Sequence, residues 1–231
     1  MKNLYQQIYP YRFRLTLFTL LCGATLFSVV LFRFRTILSG SDEYAFLLWN
    51  IFLAWIPLAF AYTAESFSLN RKTLLLVMPF TALLWLLFFP NAPYILTDLL
   101  HLRYPKEIIP LWFDVLLILW FSWTGLLLGM ISLFMMQNIV RREFGRITGW
   151  LFVLSVGFLA SLGIYIGRFL RWNSWDVLLN PRDRFIEFLY YSINPSLQSI
   201  IFIGIFSALF IFIYVAIYTF GLLLQEQTQK T

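Results

Sequence analysis

Asp98 and His101 stand three residues apart in the run Phe89-Pro90-Asn91-Ala92-Pro93-Tyr94-Ile95-Leu96-Thr97-Asp98-Leu99-Leu100-His101, and His101 is the one histidine of the chain. On a helix that spacing puts two side chains on one face. A carboxylate beside an imidazole can pass a proton or offer two ligands to a metal. Two ligands do not complete a metal site, and Asp114 or Asp176 would have to join them. The alternative involves no chemistry: Thr97 and Asp98 cap a short helix and His101 hydrogen-bonds at an interface. A second group lies further on, where Arg168 and Arg171 repeat the i, i+3 spacing and Asn173 and Asp176 follow. Two guanidinium forks on one face suit a phosphate group. Pairing with Asp98 or Asp176, or snorkelling to an interface, is the alternative. The catalytic candidates are Asp98, His101 and Asp176. The ligand-binding candidates are Arg168, Arg171, Asn173 and Asn91, and no metal or other cofactor is expected.

Familiar catalytic patterns are missing. The chain has no Gly-x-Ser-x-Gly elbow, no His-Glu-x-x-His and no phosphate-binding Walker loop. One histidine excludes a site with several histidine ligands within one chain. A Ser-His-Asp triad would have to use His101, and no serine has a nucleophile's surroundings.

Composition sets the medium in which these residues must work. Hydrophobic residues make up 61% of 231 residues and charged residues 12%, where an average soluble domain carries about 25% charged residues. Aromatics reach 20%, with 26 Phe, 12 Tyr and 9 Trp. This is the composition of an all-α polytopic membrane bundle, one integral membrane domain over residues 1–231. The net charge of +6 then marks cytoplasmic ends and anionic lipid contacts, with no nucleic acid implied. Membrane lipids with anionic headgroups are the expected partners. Cys22 is the only cysteine, so no internal disulfide can form, and a small buried side chain is expected there.

Six apolar runs are long enough to cross a bilayer: about 13–32, 44–62, 73–89, 111–136, 147–167 and 196–224. Arg33 and Arg35 follow the first run in place of a cleavage site, so it reads as a retained span. Asn50 and Pro57 lie within the second; Asn50 should hydrogen-bond another helix and Pro57 should kink its own. Pro90 and Pro93 end the third run, and the chain around 90–101 is too apolar for an aqueous loop. A broken or re-entrant stretch is expected there, tolerated where protein covers it. Asp114 lies one turn inside the fourth span. Gly125 and Gly129, Gly157 and Ser161, and Gly163 and Gly167 have small-xxx-small spacing, which suggests that the fourth and fifth spans pack closely. Asn180-Pro181 and Asn194-Pro195 each fit an N-cap followed by proline at the first helical position. The first should open an interfacial helix near 181–190, and the second the last span.

Arg141, Arg142 and Arg146 form the most concentrated basic loop near span ends, which orients both termini to the cytoplasm. An even number of spans separates the third and fifth loops, so both reach one membrane face. Asp98, His101, Arg168, Arg171, Asn173 and Asp176 are expected to converge there as an outward-facing polar site for an anionic lipid or lipid-linked substrate. The alternatives are a small transporter and a non-catalytic membrane component whose polar cluster is structural.

The runs from Phe89 to Leu102 and Gly167-Arg168-Phe169-Leu170-Arg171-Trp172-Asn173-Ser174-Trp175-Asp176 together resemble the bacterial predicted membrane proteins grouped as domain of unknown function 1361. The resemblance extends over nearly the whole chain. It implies a multi-pass protein of the bacterial cytoplasmic membrane and carries no activity with it.

Overall fold

The computed structural model describes residues 12–67, 71–103, 109–172 and 179–229. Asn173 and Asp176 lie outside the described residues. All regular structure among the described residues is helical: α1 (Arg12–Ser39), α2 (Phe46–Phe67), α3 (Arg71–Phe88), α4 (Asn91–Tyr94), a 3-10 segment (Ile95–Arg103), α5 (Leu111–Phe144), α6 (Arg146–Tyr165), α7 (Pro181–Ile193) and α8 (Leu197–Gln229). Among these residues six helical stretches are long and apolar enough to cross a membrane: Arg12–Ser39, Phe46–Phe67, Val77–Leu102, Leu111–Phe144, Arg146–Leu170 and Leu197–Gln227. Their outer faces are apolar, with Phe13, Leu26 and Ile37 on α1 and Leu197, Ile205 and Phe212 on α8 all exposed. Six such stretches make the chain an integral membrane protein.

Several boundaries differ from the sequence reading. The first helix continues past Arg33 and Arg35 to Ser39, because Arg35 finds partners that keep it from needing water. The break at Pro90 falls within the third candidate span, since the 3-10 turns beyond it are still apolar. Asn180 does stand before Pro181 at the start of α7. Asn194, however, ends α7 by donating its backbone N–H to the Tyr190 carbonyl. The cap of α8 is Ser196, whose hydroxyl oxygen accepts the Ser199 N–H at 3.1 Å, a serine N-cap two residues later than expected. Cys22 is exposed, correcting the expectation of a buried thiol. A thiol behaves as a small hydrophobe and can face acyl chains at little cost.

The chain divides into two compact units, Met1–Trp55 with Asn91–Gly129 and Ile56–Pro90 with Met130–Thr231. In the first unit α1, the start of α2, the α4/3-10 stretch and the first part of α5 enclose Leu21, Phe32, Leu47, Ile95, Ile118 and Phe121. Two indole N–H groups tie α1 to its neighbours: Trp120 donates to the Ala24 carbonyl at 3.0 Å and Trp55 to Thr25 Oγ1 at 3.1 Å.

The broken stretch is seated on α5 by two small residues one turn apart. Ser122 donates its hydroxyl to the Ile95 carbonyl at 3.0 Å. At Gly125 a Cβ would sit only 2.7 Å from the Ala92 carbonyl oxygen and 2.7 Å from Ile95 Cδ1. Irregular backbone at membrane depth needs such cover and such donors. Pro93 sits in the first turn of α4, where its missing N–H costs nothing, and Thr97 donates to the Tyr94 carbonyl at 2.7 Å across the joint with the 3-10 turns.

In the second unit Trp85 stacks on Phe152, with ring centroids 5.8 Å apart, and donates to Ser132 Oγ at 3.4 Å. Phe89 meets the edge of Phe210 at 5.8 Å. Two of the small residues expected to join the fourth and fifth spans face other elements. Gly157 on α6 meets Ile211 and Phe210 of α8, and Gly163 meets the Pro90 ring. Gly125 faces the broken stretch, whereas Gly149, near the start of α6, does meet Arg141 of α5.

Gly125→Leu and Gly163→Leu should each destabilise the protein by about 1–3 kcal/mol through overpacking, whereas Gly23→Leu, with nothing within 4 Å of its Cβ position, should be neutral. Thermal unfolding in detergent checks this; equal midpoints for all three variants would contradict the packing described.

Candidate functional site

The 3-10 backbone decides where Asp98 and His101 go. With three residues per turn, side chains at i and i+3 are eclipsed, so the two meet on one face as the spacing suggested, though through 3-10 geometry. Asp98 is 1% exposed. Asn50, one helix away on α2, donates its amide N–H to Asp98 Oδ2 at 2.8 Å, which bears out the interhelical hydrogen bond expected of Asn50. The other carboxylate oxygen lies 3.9 Å from His101 Nε2, beyond hydrogen-bond length but within strong electrostatic reach. The His101 ring rests on Phe46, centroids 4.7 Å apart, and 46% of its side chain is open to the surroundings. Among the described residues no three His, Cys, Asp or Glu side chains gather as a metal would need. Asn91 starts α4 and is half-buried in the same unit.

Asp114 is engaged elsewhere, by a partner the sequence reading had treated as a flanking charge. Arg35 is 1% exposed and grips Asp114 with both edges of its fork, Nε to Oδ1 at 3.1 Å and Nη2 to Oδ2 at 3.2 Å. Its remaining donors reach the Ser41 carbonyl at 3.5 Å and Glu43 Oε2 at 3.5 Å. The guanidinium carbon lies 4.3 Å from the centre of the Tyr44 ring, a cation–π contact. A bidentate pair of this kind is the form in which an arginine can be buried. The available signal was Asp114 itself: an acid one turn inside a span needs a base at the same depth.

Burial pushes the Tyr44 phenol up to about 12, with the negative charge of Asp114 adding to the effect and Arg35 opposing it. Tyr44 in turn touches Phe46, ring centroids 6.0 Å apart. Arg35, Tyr44, Phe46, His101 and Asp98 thus form a connected series within the first unit.

The second unit holds the arginines. After α6 the helix widens into a π-turn, Ile166–Leu170, and stops at Arg171, whose φ of 59° is left-handed. Non-glycine residues rarely adopt that conformation, and π-turns cluster at functional sites. The turn folds the chain back so that the Trp172 N–H reaches the Ile166 carbonyl at 3.5 Å. Arg168 therefore lies on the last turn and Arg171 beyond it, so the two do not share one regular helical face as their spacing had implied. Arg171 is exposed and Arg168 half-buried.

Sequence reading missed what Trp172 meets. Arg184 of α7 lies over the indole, its guanidinium carbon 5.0 Å from the ring centre, and donates through Nη1 to Glu187 Oε2 at 2.8 Å. The Trp172 indole N–H and the Arg184 Nε–H are both buried, and neither has an acceptor among the described residues. A buried donor left unmatched costs about 1–3 kcal/mol. Nothing in the spacing of Trp172 pointed to Arg184.

Arg35→Ala or Asp114→Ala should each cost about 3–5 kcal/mol, because the partner becomes a buried unpaired charge, while Arg35→Met with Asp114→Leu should cost much less. Denaturation of the three variants in detergent measures this. Tyr44 supplies a pH test. Its folded pKa lies above the unfolded value of about 10, so its contribution is intact below about pH 10 and is lost as pH rises toward 12. Tyr44→Phe should remove that alkaline loss, read as the difference in stability between variant and parent over this window.

Compared with known proteins, residues 49–216 match the model of the family described as Protein of unknown function (DUF1361). No curated protein and no solved structure matches the chain significantly.

Proposed function

The chain belongs to the DUF1361 family of proteins of unknown function, a multi-pass membrane protein, and from that premise we propose that it binds the phosphate of an anionic lipid, or of a lipid-linked substrate, at the polar turn after α6. The unmatched donors of Trp172 and Arg184 carry this reading. Phosphate oxygens are strong acceptors, and Arg171 is in sequence contact with Trp172 to supply charge. Arg168, one turn earlier, adds a second guanidinium. Indole and guanidinium groups belong at headgroup depth, where one end of each is apolar and the other wet.

The orientation that goes with this function puts the turn on the outer face of a bacterial cytoplasmic membrane and both termini inside. The basic corner between α5 and α6 supports it, with Arg141, Arg142 and Arg146 together and Arg141 Nη1 anchored to the Tyr218 hydroxyl at 3.1 Å.

Native mass spectrometry of the purified protein should show retained anionic lipid. Trp172→Phe removes one donor, and Arg168→Lys, Arg171→Lys and Arg184→Lys keep the charge but lose the planar fork. Each should weaken retention on the order of ten-fold, the equivalent of one charge-assisted hydrogen bond. Unchanged lipid content with lowered thermal stability would make the turn a structural feature only.

A further inference from the structure

Two polar rungs join α5 to α8 in the second unit, one helical turn apart on each helix. The Tyr214 hydroxyl donates to Gln137 Oε1 at 2.5 Å, and this rung is buried. The next rung is open: Arg141 Nη1 donates to the Tyr218 hydroxyl oxygen at 3.1 Å in an exposed setting. Gly149 of α6 makes room for the arginine stem, since a Cβ there would sit 3.1 Å from Arg141 Cβ. Trp150 meets the Tyr218 ring edge-on, centroids 5.1 Å apart, and Phe134 tilts against it at 6.2 Å. Phenol and guanidinium are thus held in place by three helices. Accepting from Arg141 leaves Tyr218 its own O–H to donate, and Arg141 keeps the Nε–H and Nη2 edge of its fork. Among the described residues, their mutual bond is the one hydrogen bond of either side chain. Glu143, the acid at this corner, is bonded by Arg142 at 3.0 Å. By span count the termini and the α2–α3 connection share this membrane face, and residues 1–11, 68–76 and 230–231 contain no Asp or Glu to occupy Arg141.

We infer that Arg141 and Tyr218 form a binding site for the phosphate of an anionic phospholipid in the leaflet at this end of α6. The open edge of the Arg141 fork and the Tyr218 O–H are the donors, the pairing of planar guanidinium with phosphate being bidentate. Arg146, exposed at the first position of α6, adds charge. The ligand is a lipid because the same corner also exposes Phe144 and Ile147, at 71% and 78%. Side chains of that kind face acyl chains, with the basic groups at headgroup depth. α6 has 20 residues, a rise of about 30 Å, so this corner and the turn after α6 belong to opposite membrane faces. The site shares no residue with the phosphate reading above and stands without it.

The test uses the full chain, delipidated in detergent and titrated with phosphatidylglycerol under native mass spectrometry. A Trp172→Phe background keeps the turn after α6 from contributing. In that background Tyr218→Phe removes one donor and leaves every ring contact, and Arg141→Lys keeps the charge without the fork. Each should weaken phosphatidylglycerol binding about ten-fold, the equivalent of one charge-assisted hydrogen bond. Thermal midpoints report folding, and Tyr218→Phe decides alone if Arg141→Lys does not fold. Unchanged affinity with a lowered midpoint would make the rung a strap between α5 and α8 and overturn the inference. Equal affinity for phosphatidylcholine, whose choline cancels the phosphate charge, would do the same. Displacement of the lipid by an equal concentration of inorganic phosphate would assign the site to a dissolved anion instead, again against the inference.

Discussion

A polar group in hydrocarbon has no water to turn to, and most of this structure can be read as the consequence. The carbonyls of the broken stretch after α3 are the most exacting case. Ser122 supplies a donor to Ile95 and Gly125 removes the side chain that would hold Ala92 away. Thr97 closes the joint between the α and 3-10 turns. Once that backbone is seated on α5, its side chains have fixed directions, and Asp98 is delivered to Asn50. The same constraint acts on Arg35. A guanidinium drawn below the surface is accepted because Asp114 takes both of its edges and Tyr44 covers its face.

The two units meet the constraint to different degrees. In the first, the buried charges of Arg35 and Asp114 are matched with near-ideal geometry, and the carboxylate of Asp98 has a dedicated donor. In the second, the turn after α6 leaves the Trp172 and Arg184 donors buried without acceptors among the described residues, next to a left-handed arginine. Strain and unmatched donors are costs that a fold retains where something else is gained. The contrast also separates two kinds of polar residue that look alike on paper. Arg35 is a structural arginine satisfied by its own chain, whereas Arg184 keeps one donor in reserve.

The sequence by itself determined the medium, the helical class, the six spans and the position of the break. These depend on run length, composition and proline, quantities that act locally. It also singled out Asp98 with His101 and required Asn50 to have a partner, because i, i+3 spacing and the cost of an amide in hydrocarbon are local rules as well. Tertiary structure alone decided who meets whom. Arg35 and Asp114 are 79 residues apart, and each looked like an ordinary end-of-span charge until the helices were side by side. The glycines announced close approach without saying to what, and α8, Pro90 and the broken stretch turned out to be the visitors. Arg168 and Arg171 were assigned one face on the assumption of a regular α-helix, and a π-turn with a left-handed residue undid it. Pairings across long separations depend on packing, which no spacing encodes.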